Sequence, residues 1–201
     1  KDILYLGPLT DFDSHENFEY DMVVINKPVN LSKVKKKTRY ILLILNNTFS
    51  KNKKEKIRSW YSENEFAEII SPIDLGFNKN IELFDMIPTF PLSSGLMGLQ
   101  RSLTIIFNIC DFKTIKIQGF DFMLSKTSYH NSYPNLLKEE YHNDIENGIL
   151  NTNMKHDFLL NFMFVRKLYA EYPRFITGDI VKYLDMRIEE VLCSFKNRFK
   201  T

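Results

Sequence analysis

Three short and almost wholly apolar runs near the start of the chain constrain its fold most strongly. They are Ile3 to Leu6, Met22 to Ile25 and Tyr40 to Leu45, and they are bounded by Gly, Asn, Asp or Pro. A strand that is apolar at every position is typical of a sheet covered on both faces, because a face in water would make the pattern alternate. The sequence therefore predicts a buried, parallel sheet.

Segments with helical spacing alternate with these strands. Apolar residues mark two helices, at Ile57, Trp60, Tyr61 and Phe66 and at Leu96, Leu99, Leu103, Ile106 and Phe107. Thr114 to Gln118 then supplies a further strand that ends at Gly119. This alternation predicts an α/β fold, a single Rossmann-like domain in which helices flank a mostly parallel sheet.

The second half of the chain breaks this pattern before it returns to helices. Residues 124–153 are rich in Ser, Asn, Tyr and His, and a segment of this length without periodicity is often a lid or binding loop. Phe158, Phe162, Val165 and Tyr169 then line a helix that Pro173 closes. We expect one domain over residues 1–178 with a lid at 124–153, followed by one amphipathic helix of about five turns over 179–201.

Length and composition are those of one globular domain. The chain has 201 residues with 44% hydrophobic content, and no apolar stretch approaches the roughly 20 residues needed to span a bilayer. It begins with Lys1, directly before an apolar run, so we expect that it was cut from a longer protein. Cys110 and Cys193 lack the spacing of metal ligands and lie in apolar helical patterns, which predicts buried free thiols.

Positive charge is concentrated between residues 33 and 58, where ten Lys and Arg residues face one acid, Glu55. Such a field can steer an anionic nucleotide sugar or rest against an anionic membrane or glycan, and it is also typical of a solvated surface. Nucleic-acid binding is disfavoured, because no recognition motif accompanies the charge.

The most informative stretch begins at Pro91-Leu92-Ser93-Ser94-Gly95. It continues through an apolar helix, Cys110-Asp111 and a strand to Gly119-Phe120-Asp121-Phe122. Ser93 is suited to cap the helix, and free N–H groups at a helix start favour an anionic or polyhydroxylated ligand. Gly119 to Phe122 would lie at the carboxyl edge of the sheet, where open α/β sheets bind ligands.

This stretch resembles the small sialyl motif of animal sialyltransferases and the Thr-Ser-Gly to Gly-Ile-Asp-Phe region of bacterial lipooligosaccharide sialyltransferases. Those enzymes hold the CMP part of their donor there. The resemblance implies a sialyltransferase-like variant of the GT-A fold. It also implies donor contacts from Ser93, Ser94 and Gly95, with Asp121 and Phe122 at the floor of the site.

Other positions match the bacterial family at compatible spacing. The resemblance implies donor contacts from Gly7, Asn26 and Asn46 and a phosphate contact from Tyr129. It also implies that His156 is the general base, since His156 is followed five residues later by Asn161, where the family has an acid. An imidazole suits that role, because it titrates near neutral pH. His142 and His130 are the fallback candidates.

Three departures from the family pattern bear on the donor. Leu6 stands where the family has an asparagine, Met123 stands where it has a tyrosine, and Asn161 replaces the acid. The resemblance therefore implies an inverting transfer of an acidic sugar, either sialic acid or Kdo, from a CMP donor to a saccharide acceptor. We expect neither a metal ion nor another cofactor.

Two alternatives to a glycosyltransferase come from other classes of protein. The departures favour a non-catalytic carbohydrate- or nucleotide-binding module of a larger polysaccharide-synthesis protein. A methyltransferase or dehydrogenase is disfavoured, since no Gly-x-Gly-x-x-Gly follows the first strand. For the enzyme we expect a role in lipopolysaccharide or capsule synthesis in the cytoplasm, at the inner face of the membrane or against a neighbouring domain.

Overall fold

The computed structural model describes most of the predicted secondary structure. The described residues are 1–10, 20–26, 28–29, 38–44, 51–62, 67–76, 78–80, 98–109, 111–122, 124 and 158–198.

Seven strands and five helices are described. The strands are β1 (Asp2–Leu6), β2 (Met22–Ile25), β3 (Tyr40–Leu43), β4 (Glu68–Ser71), β5 (Lys79–Asn80), β6 (Thr114–Gln118) and β7 (Ile176–Gly178). The helices are α1 (Lys51–Ser62), α2 (Gly98–Ile109), α3 (Phe158–Glu171), α4 (Val181–Leu184) and α5 (Ile188–Arg198).

The strands form one parallel sheet in the order β5-β4-β3-β2-β1-β6-β7. β1 is central, because Leu4 is paired with Val23 of β2 on one side and with Lys116 of β6 on the other. A helix that joins two parallel strands must run back across the sheet, so α1, α2 and α3 all begin at its carboxyl edge. The prediction of an α/β, Rossmann-like fold is confirmed.

The central strands are apolar on both faces because two separate cores cover them. Ile3 and Tyr5 of β1 belong to the core under α2 and α3, whereas Leu4 and Leu6 belong to the core under α1. Each buried side chain of this size stabilises the fold by about 1.5–3 kcal/mol. The result is a three-layer arrangement of helices, sheet and helix.

The predicted helices over the sheet are confirmed. Leu99, Leu103 and Ile106 of α2 are fully buried, and so are Phe162 and Val165 of α3. α3 ends at Glu171, two residues before the proline that was expected to close it.

The C-terminal segment differs from its prediction. Instead of one helix over 179–201, it forms α4 and α5, separated at residues 185–187. The second helix has its own start, because the backbone N–H of Arg187 donates to Glu190 Oε2 at 2.9 Å. Leu192, expected on the buried stripe, is 44% exposed, and Cys193 is a free but exposed thiol rather than a buried one.

α3, with 14 residues, is the longest helix described. Within the described ranges, no helix has both the length and the apolar character needed to cross a membrane.

Candidate functional site

The strand order places a change of direction at β1. Successive strands run outward from β1 through β2 to β5, and the chain then returns to place β6 and β7 on the other side. Ligands of open α/β sheets bind outside the carboxyl ends of the strands at such a point. The candidate site therefore lies among the residues that follow β1, β2 and β6.

Gly7, a predicted donor contact, joins the end of β1 to the end of β6. Its N–H donates to the carbonyl of Gln118 at 2.7 Å, and the N–H of Leu9 donates to the carbonyl of Gly119 at 2.8 Å. A Cβ at Gly7 would overlap the carbonyl of Gly119, so only glycine allows this approach. The described contacts of Gly7 thus join the ends of β1 and β6 and leave its donor role a prediction.

Asn26, another predicted donor contact, ends β2 and lies against the first residue of α2. A Cβ at Gly98 would overlap the side-chain amide of Asn26, so the glycine makes room for it. Both polar atoms of the Asn26 carboxamide are buried, and neither has a hydrogen-bond partner within the described part of the chain. A buried amide without partners costs free energy, and such groups in native structures need an explanation.

Asp121 and Phe122 lie three and four residues after the end of β6. Phe122 is fully buried with φ +53°, a conformation that is strained for a side chain of this size. Its ring packs edge-on against Phe120 and Phe162. Asp121 is 6% exposed, and its carbonyl accepts from the N–H of Leu124. Phe122 therefore forms core beneath the edge, and its place at the floor of a donor site stays a prediction.

α2 carries a cation in its first turn. Burial lowers the pKa of Arg101 from its ordinary value, but a guanidinium stays protonated at neutral pH. The side chain is therefore positive in the first turn of a helix that begins at the carboxyl edge, where an anionic ligand would be favoured.

The first turn of α3 is tied to α2. Nε2 of Gln100, in α2, donates to the backbone carbonyl of Asn161 at 3.0 Å. Asn161, the residue that replaces the family's acid, is 1% exposed. His156 precedes the first residue of α3 by two positions in the sequence.

On the opposite face of the sheet, β6 presents polar side chains. Its burial alternates, with Ile115 and Ile117 buried under α2 and α3 while Thr114, Lys116 and Gln118 are partly buried on the other face. Oε1 of Gln118 is buried and lacks a partner among the residues described. The N–H of Gly119 donates to Oδ2 of the exposed Asp179 at 3.0 Å.

The remaining predicted site residues fall outside the described ranges. They are Asn46, Ser93, Ser94, Gly95, Met123, Tyr129, His130, His142 and His156. Residues 125–153 of the expected lid also lie outside them. Their roles stay predictions.

Gly98 and Gln100 are site residues that the sequence interpretation missed. The signal for Gly98 was present, since an isolated glycine inside a strong helical pattern often marks a close approach. Gln100 gave no such signal, because a glutamine between apolar positions of an amphipathic helix is typical of an exposed residue.

Within the described part of the chain, no group of three or more His, Cys, Asp or Glu residues could hold a metal ion. Outside it, Asp11-Phe12-Asp13 follows the end of β1, and carboxylates are common ligands of Mg²⁺. Because of this Asp-x-Asp sequence, the expectation of a reaction without a metal stays a prediction.

No family model, curated protein or solved structure matches the chain.

Proposed function

We propose that the chain is a glycosyltransferase domain that transfers an acidic sugar, sialic acid or Kdo, from a CMP donor to a saccharide hydroxyl with inversion. The observation that carries the proposal is the carboxamide of Asn26. It lies at the carboxyl edge beside the start of α2, with both polar atoms buried and unpaired among the described residues. A nucleoside monophosphate carries both donors and acceptors that would pair with such a group.

Charge supports an anionic ligand at the same place. Arg101 lies in the first turn of α2, and the partial positive charge of the helix start adds to it. The predicted turn Ser93 to Gly95 ends three positions before the first residue of this helix, so we expect its backbone N–H groups to reach the same ligand.

In the proposed reaction, His156 takes the proton of the acceptor hydroxyl while that oxygen attacks the anomeric carbon. The bond between the anomeric carbon and the phosphate oxygen breaks, and CMP leaves with the electron pair. Tyr129 and the amides after Ser94 donate hydrogen bonds to the phosphate as its charge grows. The enzyme would act in the cytoplasm on lipopolysaccharide or capsule precursors at the inner face of the membrane.

One observation favours the second candidate, a binding module without turnover. Leu6, where the family has an asparagine, is 2% exposed and belongs to the core under α1. It therefore offers no polar group to a donor. The module would hold the same nucleotide at Asn26 and release no CMP.

Calorimetry with CMP, UDP, GDP and NAD tests the binding step. We expect CMP alone to bind, and Asn26→Leu to weaken its binding by roughly tenfold or more, because the donor and acceptor are lost. Folding stability should stay equal or rise, since the variant removes unpaired atoms. Thr38→Val is the matched control, because it also removes a buried polar atom that lacks a partner among the described residues, but at the amino edge of the sheet. Tight binding of UDP or NAD without CMP would refute the proposal.

CMP release from CMP-sialic acid and CMP-Kdo, with saccharide acceptors, separates the two candidates. His156→Ala should lower kcat by roughly a hundredfold and leave CMP affinity nearly unchanged. An equally active variant would move the search for the base to His142 and His130. A wild type that binds CMP but releases none from either donor would establish the binding module instead.

A further inference from the structure

Gln100 is a fully buried polar residue between two helices that begin at the carboxyl edge. It is the third residue of α2, and its Nε2 donates to the carbonyl of Asn161, the fourth residue of α3, at 3.0 Å. This hydrogen bond joins segments 61 residues apart in the sequence. It fixes the first turn of α3 relative to the first turn of α2.

The orientation of the Gln100 amide follows from its partner. Only the NH₂ group can donate to a carbonyl, so Oε1 must point away from Asn161. Oε1 is buried and has no partner among the described residues. A buried acceptor without a donor costs free energy, whereas an apolar side chain of similar shape would avoid that cost. Stability alone therefore does not explain a glutamine at this position.

The two helix starts that Gln100 joins carry different parts of the proposed site. α2 begins at Gly98, against the amide of Asn26, and follows the predicted donor turn. α3 begins two residues after His156, the predicted base. A displacement of about 1 Å between reacting groups can lower a rate by roughly two orders of magnitude.

We propose that Gln100 is a positioning residue. It fixes the start of α3, which follows His156 in the sequence, relative to the start of α2, which follows the predicted donor turn. This inference rests on the proposed function. It concerns a residue that touches neither the donor nor the acceptor, so its loss should appear in the transfer step rather than in donor binding.

Gln100→Met is the test, because methionine has a similar shape but no polar amide. We expect the backbone amides of residues 161–165 to exchange roughly fivefold faster with deuterium, since one bond to this turn is lost. The melting temperature should not fall, CMP affinity should stay within twofold, and kcat should drop by about tenfold.

Thr104→Val is the matched control. Thr104 is also buried in α2, but its hydroxyl donates to the carbonyl of Gln100 within the same helix, at 2.9 Å. This variant removes a buried hydrogen bond without touching α3, so exchange in residues 161–165 and kcat should both remain at wild-type values.

Exchange and turnover together decide the proposal. Unchanged exchange in α3 would overturn it whatever the activity, and faster exchange with unchanged kcat would show that the bond is merely structural. A wild type without any transfer would instead overturn the proposed function and the link to catalysis. Hydrogen exchange alone would then decide whether Gln100 fixes the first turn of α3.

Discussion

The carboxyl and amino edges of the sheet differ in how fully their buried polar side chains are hydrogen-bonded. Among the described residues, five buried side-chain polar atoms lack a partner, and four of them belong to Asn26, Gln100 and Gln118 near the carboxyl edge. The exception is the hydroxyl of Thr38, before β3 at the amino edge.

At the amino edge, four aromatic rings pack against one another. Phe112 packs edge-on against Phe107 at 5.0 Å and against Phe175 at 5.5 Å between ring centroids. Tyr172 lies within 6 Å of both Phe107 and Phe175. Proteins break local rules of polar satisfaction mainly at functional sites, so the contrast favours the carboxyl edge as the place of ligand recognition.

The largest expected effect is a loss of folding stability at the carboxyl edge, at Gly119. Gly119 has φ +65°, and a Cβ there would overlap the backbone of Thr10. Gly119→Ala should lower the free energy of unfolding by roughly 3 kcal/mol or more, since conformational strain adds to a backbone clash.

Gly76→Ala is the control for Gly119. Gly76 also has a positive φ, +80°, but the nearest atom to an added Cβ is the guanidinium of Arg58, at 3.4 Å. Strain alone should then cost about 1 kcal/mol. Urea denaturation measures both, and equal losses would show that the contact between the ends of β1 and β6 contributes nothing.

A smaller effect should come from the amino edge. Phe112→Ala removes the ring that bridges Phe107 and Phe175, and it should lower the free energy of unfolding by about 2–3 kcal/mol. CMP affinity, measured by calorimetry on the folded variant, should not change. A variant that loses CMP binding while folded would break the division between the two edges.

The smallest expected effect comes from an exposed contact between Arg187 and Glu190. Its effect on stability is the reference against which the effects at the two edges are compared. The backbone N–H and guanidinium of Arg187 bond to Glu190 and hold the pKa of that carboxyl below its ordinary value. A lowered pKa contributes stability above the ordinary pKa and loses it as the pH falls through the folded value. The melting temperature of wild type should exceed that of Glu190→Gln slightly at pH 7, and the gap should close toward pH 3. A gap independent of pH would contradict the assigned cause.

The strands were predictable where apolar residues cover both faces. β2 and β6 match their predicted bounds, and β1 differs by one residue. β4, β5 and β7 were missed, because none of them has more than two adjacent apolar residues and pairing with a neighbour supplies most of their stability.

The break between α4 and α5 could not be read from periodicity. Ile180, Leu184, Ile188 and Val191 keep helical spacing across it, and a new helix start at Arg187 leaves that spacing intact. In the candidate site, Asn26 was singled out only through the family resemblance, and its donor contact stays a prediction. Gly98 and Gln100 depend on contacts between distant segments, and these are visible only once the chain is folded.

The central position of β1 also affects the order in which the chain can fold. On one side of β1, Oδ1 of Asp2 accepts a hydrogen bond from the hydroxyl of Thr114, at the start of β6 and 112 residues away. On the other side its own N–H donates to Asp21, 19 residues away. During synthesis β2 emerges soon after β1, whereas β6 follows much later, and closing so long a loop carries a larger entropic cost. One edge of this central strand therefore stays open until late in folding, and that unpaired edge is where nascent chains would associate wrongly.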